Sequence, residues 1–317
     1  MLERGAQSET RILSLLPTAT SIVLALGAGE RLAGVSHDHQ YMAAAGGLPA
    51  GLPVVNRLSY DDGEMSSGEI DALVSATYAQ GKSIYVLDAE TIARLKPTLV
   101  LTQRLCDVCA ITPHDLQAVL SRLRPQPAIV ELHAHNLSEA LEDMRQVAGA
   151  LGLEESGQAL TARLRVRMHA VEQRSAGAKR RPTVFCLEWP DPLYNAGHWV
   201  PEMVALAGGR DELAAPGAHS TRIGWERLRK YDPEFIIAMV CGFPRERAWR
   251  ELQVLCRKPE FAALRAVRER QFWVTDGSRY FSQAGPGLWD GLELLAGILH
   301  PELFPAPEAV AAIRFES

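Results

Sequence analysis

"AETIARLKPTLVLTQ" (residues 89–103) and "GWERLRKYDPEFIIAMV" (residues 224–240) follow one plan. In each, a glutamate (Glu90, Glu226) stands seven residues before a proline (Pro97, Pro233), and an apolar run follows the proline. A short helix with an acid in its first turn, stopped by proline and fed into a strand, produces this spacing. Two copies of the plan, one in each half of the chain, predict two α/β lobes built alike, with a ligand cleft between them.

The flanking sequence extends the pattern. Apolar runs alternate with helix-period segments, the signature of parallel α/β structure. Strands are expected at 12–16, 32–35, 83–86, 99–102 and 128–132, then at 183–187, 235–240 and 272–275. Helices are expected at 21–26, 67–79, 89–95 and 113–122, then at 201–206, 260–264 and 288–299. The first would be capped by Thr18 or Thr20 and closed by Gly27. Between the two sets, Leu141, Met144, Val147, Leu151, Leu160, Leu164 and Met168 recur at helical spacing without a proline. Ser138 would start this helix, with Glu139 and Glu142 in its first turn. One long α-helix over 137–176 therefore joins an N-terminal lobe, 1–136, to a C-terminal lobe, 177–317.

Composition narrows the class. The chain has 317 residues, enough for two domains, with 47% hydrophobic and 22% charged residues, ordinary for a globular protein. A net charge of -5 supplies no basic field, so no nucleic-acid partner is expected. No stretch reaches the roughly 18 uncharged apolar residues of a membrane span. The start "MLERGAQSETRILSLL" lacks a leader pattern, which points to the cytoplasm, or to the periplasm if a leader has been removed. Five dispersed cysteines argue against a disulfide framework. With no nucleophile elbow, phosphate-binding glycine loop or metalloprotease motif, no enzyme activity is expected.

Ligands of open α/β sheets sit beyond the carboxyl ends of strands. The residues expected there are His37, Asp38, His39 and Tyr41 in the loop "VSHDHQYM" (35–42), and Gln103, Cys106 and Cys109 after the run 99–102. In the second half they are Trp189, Tyr194, His198 and Trp199, then Cys241 and Phe243, then Arg279, Tyr280 and Phe281. Arg57 and Tyr85 complete the candidate set. Aromatic residues are only 7% of the chain, so their gathering in these loops suits a planar, largely apolar ligand. The same aromatics could equally fill a core. Cys106 and Cys109 form a lone Cys-x-x-Cys, which with His37 and His39 could hold zinc or iron only if the loops converge. Two packed thiols and a solvated histidine loop are the plain alternatives.

At this point a family resemblance emerges. "RILSLLPTATSIVLALGAGERLAGVS" (11–36), "LKPTLVLT" (95–102), "YDPEFII" (231–237) and "LAGGRDEL" (206–213) resemble the cobalamin- and siderophore-type substrate-binding proteins of ABC importers, the cobalamin-binding members most. The resemblance implies two lobes around a large flat ligand, a corrinoid such as cobalamin or alternatively haem. It also implies that Glu90 and Glu226 dock onto arginines of a membrane permease. Three roles stay open: non-catalytic binding of a corrinoid or related tetrapyrrole as carrier, sensor or importer receptor; a metal-binding protein or metalloenzyme built on Cys106 and Cys109; and a partner-binding module with a vestigial cleft.

Overall fold

The computed structural model describes residues 10–37, 48–61, 63, 65–103, 113–308 and 311–315. The chain is α/β and divides into two compact units. The first comprises Met1–Glu64, Leu73–Ala134 and Leu141–Thr161; the second comprises Met65–Ala72, His135–Ala140 and Ala162–Ser317.

The first unit is built on strands β1 (Ile12–Ser14), β2 (Leu32–Gly34), β5 (Leu99–Gln103) and β6 (Ala128–Leu132), ordered β2-β1-β5-β6 and parallel throughout. A separate antiparallel pair, β3 (Asn56–Leu58) and β4 (Tyr85–Leu87), accompanies it. Leu13, Val55, Ile92, Val100 and Leu120 are buried together, as the continuous apolar runs of a parallel sheet require. Each such side chain contributes roughly 1.5–3 kcal/mol by leaving water.

The second unit holds β7 (Val184–Pro190), β8 (Leu193–Asn195), β9 (Phe235–Ala238), β10 (Phe272–Thr275) and β11 (Ala312–Arg314), ordered β11-β10-β9-β7-β8. The three central strands are parallel, and the short edge strands β8 and β11 are antiparallel to their neighbours. Helix Gly287–Leu299 is almost wholly buried, with Trp289 among the largest enclosed side chains.

The duplicated segments fold alike. Helices Ala89–Leu95 and Trp225–Tyr231 each carry their glutamate, exposed, in the first turn. Each ends on a left-handed residue, Lys96 at φ 47° and Asp232 at φ 42°, immediately before the proline. That conformation ends the helix, and the proline fixes an extended path into β5 or β9.

Three expectations need revision. The first helix spans Pro17–Ala25 and not 21–26, because Pro17 fits the first helical turn; Leu16 holds the cap position without a side-chain bond, so neither Thr18 nor Thr20 caps it. The Gly27 stop is present, at φ +73°. The helical stretch at 137–176 is two helices, Leu137–Ala150 and Glu154–Ser175. Gly152, at φ +67°, turns the chain between them, and the Leu153 N–H donates back to the Ala148 carbonyl at 2.8 Å. The first of the pair is capped by Asn136, which accepts from the Glu139 N–H at 2.9 Å, and not by Ser138. The Glu139 carboxylate reaches back to the His135 N–H at 2.7 Å. This reciprocal arrangement satisfies two amides that the helix itself leaves open.

Candidate ligand-binding site

Because β7, β9 and β10 run parallel, their carboxyl ends share one edge of the second sheet. Glu188 and Trp189 end β7, and Cys241 and Phe243 follow β9; the Cys241 N–H donates to the Glu188 carbonyl at 3.1 Å. The half-buried Trp189 ring lies 5.0 Å from the Phe243 ring, over which the Arg247 guanidinium sits at 4.0 Å. This aromatic–cation stack offers an apolar face with a charged margin. The Trp189 indole N–H donates to the carbonyls of Ser67 and Asp191, both at 3.1 Å, which fixes the ring plane. The Tyr194 hydroxyl donates to Asp71 at 3.1 Å and accepts from Arg222 at 2.8 Å, and Arg222 also pairs with Asp71 at 2.7 Å.

The remaining aromatics of the candidate set divide by depth. Trp199, Phe243, Tyr280 and Phe281 are buried, at 3%, 3%, 6% and 3% exposure. The Trp199 indole donates to the Phe281 carbonyl at 2.7 Å. Packing alone accounts for Trp199, Tyr280 and Phe281, Phe243 is enclosed between the Trp189 ring and Arg247, and of the candidate aromatics described in this unit Trp189 and Tyr194 are half-buried and present ring surface. Arg279 is exposed and lies over the Tyr280 ring at 5.0 Å. Cys241 is half-buried.

His198 stands apart. Its backbone is left-handed, at φ 53°, although it is not glycine. Two hydrogen bonds hold it there: His198 N–H to the Ala218 carbonyl at 2.6 Å, and Gly217 N–H to the His198 carbonyl at 2.8 Å. A conformation costing of order 1–3 kcal/mol, pinned from both sides, marks a side chain aimed by its surroundings. Its ring lies 5.7 Å from the His135 ring and 5.0 Å from the His219 ring, and the latter two are 5.8 Å apart. The His198 Nδ1 is buried without a partner. Burial, reinforced by the positive potential of His219 and His135, lowers the His198 imidazole to about 4, so it is neutral at physiological pH. Beside it the Glu188 carboxylate accepts from the Ser220 hydroxyl at 2.6 Å.

Sequence reasoning singled out His198 but passed over His135 and His219. The available signal was the alternation His133-x-His135, diluted because His219 lies far away along the chain. A different buried acid, Asp211, also went unnoticed. Its Oδ2 is enclosed and unpartnered, and burial raises its carboxyl to about 6.

In the first unit, His37 donates its N–H to Asn56 Oδ1 at 2.8 Å and lies 5.5 Å from the Tyr85 ring. Arg57 is exposed, with its guanidinium on the Leu58 carbonyl at 3.2 Å. Gln103 ends β5, half-buried. Asp38, His39, Tyr41, Cys106 and Cys109 lie outside the described residues.

Residues 12–278 match the model of the periplasmic binding protein family, and the chain belongs to that family. It is a substrate-binding protein and not an enzyme. A comparison with curated protein sequences gives no match.

Among solved structures, a periplasmic heme-binding protein from Pseudomonas aeruginosa is 20% identical, with a TM-score of 0.71 over 97% of this chain and 98% of that one. The periplasmic heme-binding protein RhuT from Roseiflexus sp. RS-1 is 22% identical, with a TM-score of 0.67 over 92% and 98%. The periplasmic vitamin B12 binding protein BtuF of Vibrio cholerae is 21% identical, with a TM-score of 0.62 over 92% and 96%. These likenesses show the two-lobed fold. The cytoplasmic expectation draws no support from a family of periplasmic binding proteins. No helix among the described residues is long and apolar enough to cross a membrane.

Proposed function

We propose that the chain is the periplasmic receptor of an ABC importer and carries a metal-centred tetrapyrrole, a corrinoid in first place and haem in second. The observation that carries this reading is the half-buried Trp189 ring, backed by the enclosed Phe243 ring and bordered by Arg247. A corrin or porphyrin needs such a face, together with donors for its peripheral carboxylates or amides. Relatives of the same fold described as heme-binding and vitamin B12 binding agree with a ligand of this class.

Titration of the purified protein with cobalamin, cobinamide and haem, followed by visible absorbance and calorimetry, tests the reading. One of the three is expected to bind at one equivalent with a shifted spectrum. Trp189→Ala should weaken it about fivefold, the loss of one aromatic contact worth about 1 kcal/mol. Heat-silent titrations with unshifted spectra for all three would remove the tetrapyrrole from consideration.

We also assign Glu90 and Glu226 to docking on the permease. Both are exposed first-turn acids on short helices of matching form, available to arginines of a partner. Replacing both by lysine should leave ligand affinity unchanged and abolish stimulation of the transporter's ATPase. Full stimulation by the double variant would dismiss the assignment.

A further inference from the structure

We propose that the head of helix Ser67–Ala79 is a detachable strap on the Trp189 ring, a gate that opens locally while the sheet it is tied to stays folded. Its role as a gate rests on the cargo face proposed above, whereas its release depends on no cargo.

The helix is buried at one end. Residues 65–72 belong to the second unit, whereas the chain on either side, Met1–Glu64 and Leu73–Ala134, belongs to the first. Of the 13 residues of the helix the buried ones are Ser67 and Ile70, both in this head. From Ala72 to Ala79 every residue is exposed or half-buried. A helix of this length with so little burial is marginal in water, so its persistence depends on the attachment of its head.

The attachment is polar. The Ser67 N–H and hydroxyl both donate to Glu251 Oε2, at 3.1 and 2.9 Å, and the Ser67 carbonyl accepts from the Trp189 indole at 3.1 Å. The Arg247 guanidinium donates to the Met65 carbonyl at 3.1 Å. One turn on, Asp71 accepts from Tyr194 at 3.1 Å and from Arg222 at 2.7 Å. Bonds of this kind exchange for bonds to water at modest net cost, and exposed ion pairs add little. The strap can therefore let go without opening the apolar core behind it. It also keeps its shape when it does, because Ser66 and Glu69 cap each other. The Ser66 N–H donates to Glu69 Oε2 at 2.9 Å, and the Glu69 N–H donates to the Ser66 hydroxyl at 3.3 Å.

Three of the fasteners, Trp189, Tyr194 and Arg247, are also residues of the ring site. Release frees the indole edge of Trp189 and the guanidinium of Arg247, an apolar and a cationic group that a ligand with a polar rim can use.

Hydrogen exchange on the full chain without cargo tests the release. Amides of Leu73–Ala79 should exchange through an opening smaller than global unfolding, while those of β7 and β9 stay protected longer. Asp71→Asn combined with Glu251→Gln should speed the helix amides about tenfold and leave β9 unchanged. Ser75→Ala, at an exposed helix position, should slow them about twofold. The Trp189 indole N–H resonance, identified by its loss in Trp189→Phe, should shift in the double variant while that of the enclosed Trp289 stays. Helix amides that exchange only together with the strands, or that ignore the double variant, would overturn the strap. The gate is read separately: the double variant should take up whichever of cobalamin, cobinamide and haem binds the parent about tenfold faster, and equal association rates would overturn it. Should none of the three bind, the gate falls with the cargo face, while exchange still decides the strap.

Discussion

Gly197→Ala is expected to destabilise the protein by about 3 kcal/mol, at the upper end of the range for overpacked positions. A Cβ at Gly197 would stand 2.4 Å from the Ser220 nitrogen, 2.6 Å from the Ala218 oxygen and 2.7 Å from the His219 carbonyl carbon. All three are backbone atoms, so no side-chain rotation relieves the clash; segments 195–198 and 217–221 must separate. Those segments are laced by Asn195 N–H to Thr221, His198 N–H to Ala218 and Gly217 N–H to His198. A shift there would break several of these bonds together. Thermal unfolding should show a drop of about 6 °C or more. Gly149→Ala is the matched control, since nothing lies within 4 Å of its Cβ position and helix Leu137–Ala150 gains a better helix former. Indistinguishable melting of the two variants would mean that the approach at Gly197 is not a real constraint.

Asp211→Asn should change how stability responds to pH. The folded carboxyl titrates near 6 because it is buried, with backbone amides such as that of Leu213 only partly offsetting the burial. Unfolded, it titrates near 3.8. Below 3.8 both states are protonated and stability is intact. Between 3.8 and 6 the unfolded state releases its proton first, so stability falls as pH rises, and above 6 the loss is complete. The loss amounts to about 3 kcal/mol. Asparagine carries no proton to lose, so the variant should exceed the parent by about this amount at pH 7, and the gap should close towards pH 4. His198 acts with the opposite sign. Its folded value near 4 lies below its ordinary 6.5, so its contribution is lost as pH falls through that window. The parent profile therefore blends two opposed slopes, and the variant-minus-parent difference isolates the carboxyl. Denaturant melts between pH 4 and 8 measure it, and a constant difference across that range would show that Asp211 titrates normally.

The alternating plan of strands and helices was readable because each apolar run is bounded by proline, glycine or a charged turn. The duplicated glutamate–proline spacing was readable for the same reason: Pro97 and Pro233 punctuate locally, and local signals survive in a single sequence. The break at Gly152 was not, since Leu151 and Leu160 continue the apolar period across it. Nor were β8 and β11, three residues each, whose pairing is decided by distant partners. Trp189 and Trp199 look alike in sequence, yet one is half-buried at the sheet edge and the other enclosed beneath Phe281. Residue type fixes what each could do, and depth decides which of them does it. The histidine trio was hidden most completely, because its members come from three separate loops.

Were Glu90 and Glu226 the docking acids proposed above, the matched helix stops at Lys96 and Asp232 would have a consequence for the permease. Glu90 and Glu226 are displayed by the same local stereochemistry, each two residues past an equivalent start and six before an equivalent left-handed stop. A counterpart made of two identical chains would therefore need to evolve only a single type of receiving pocket, used once by each subunit. Recognition by duplication on one side invites symmetry on the other.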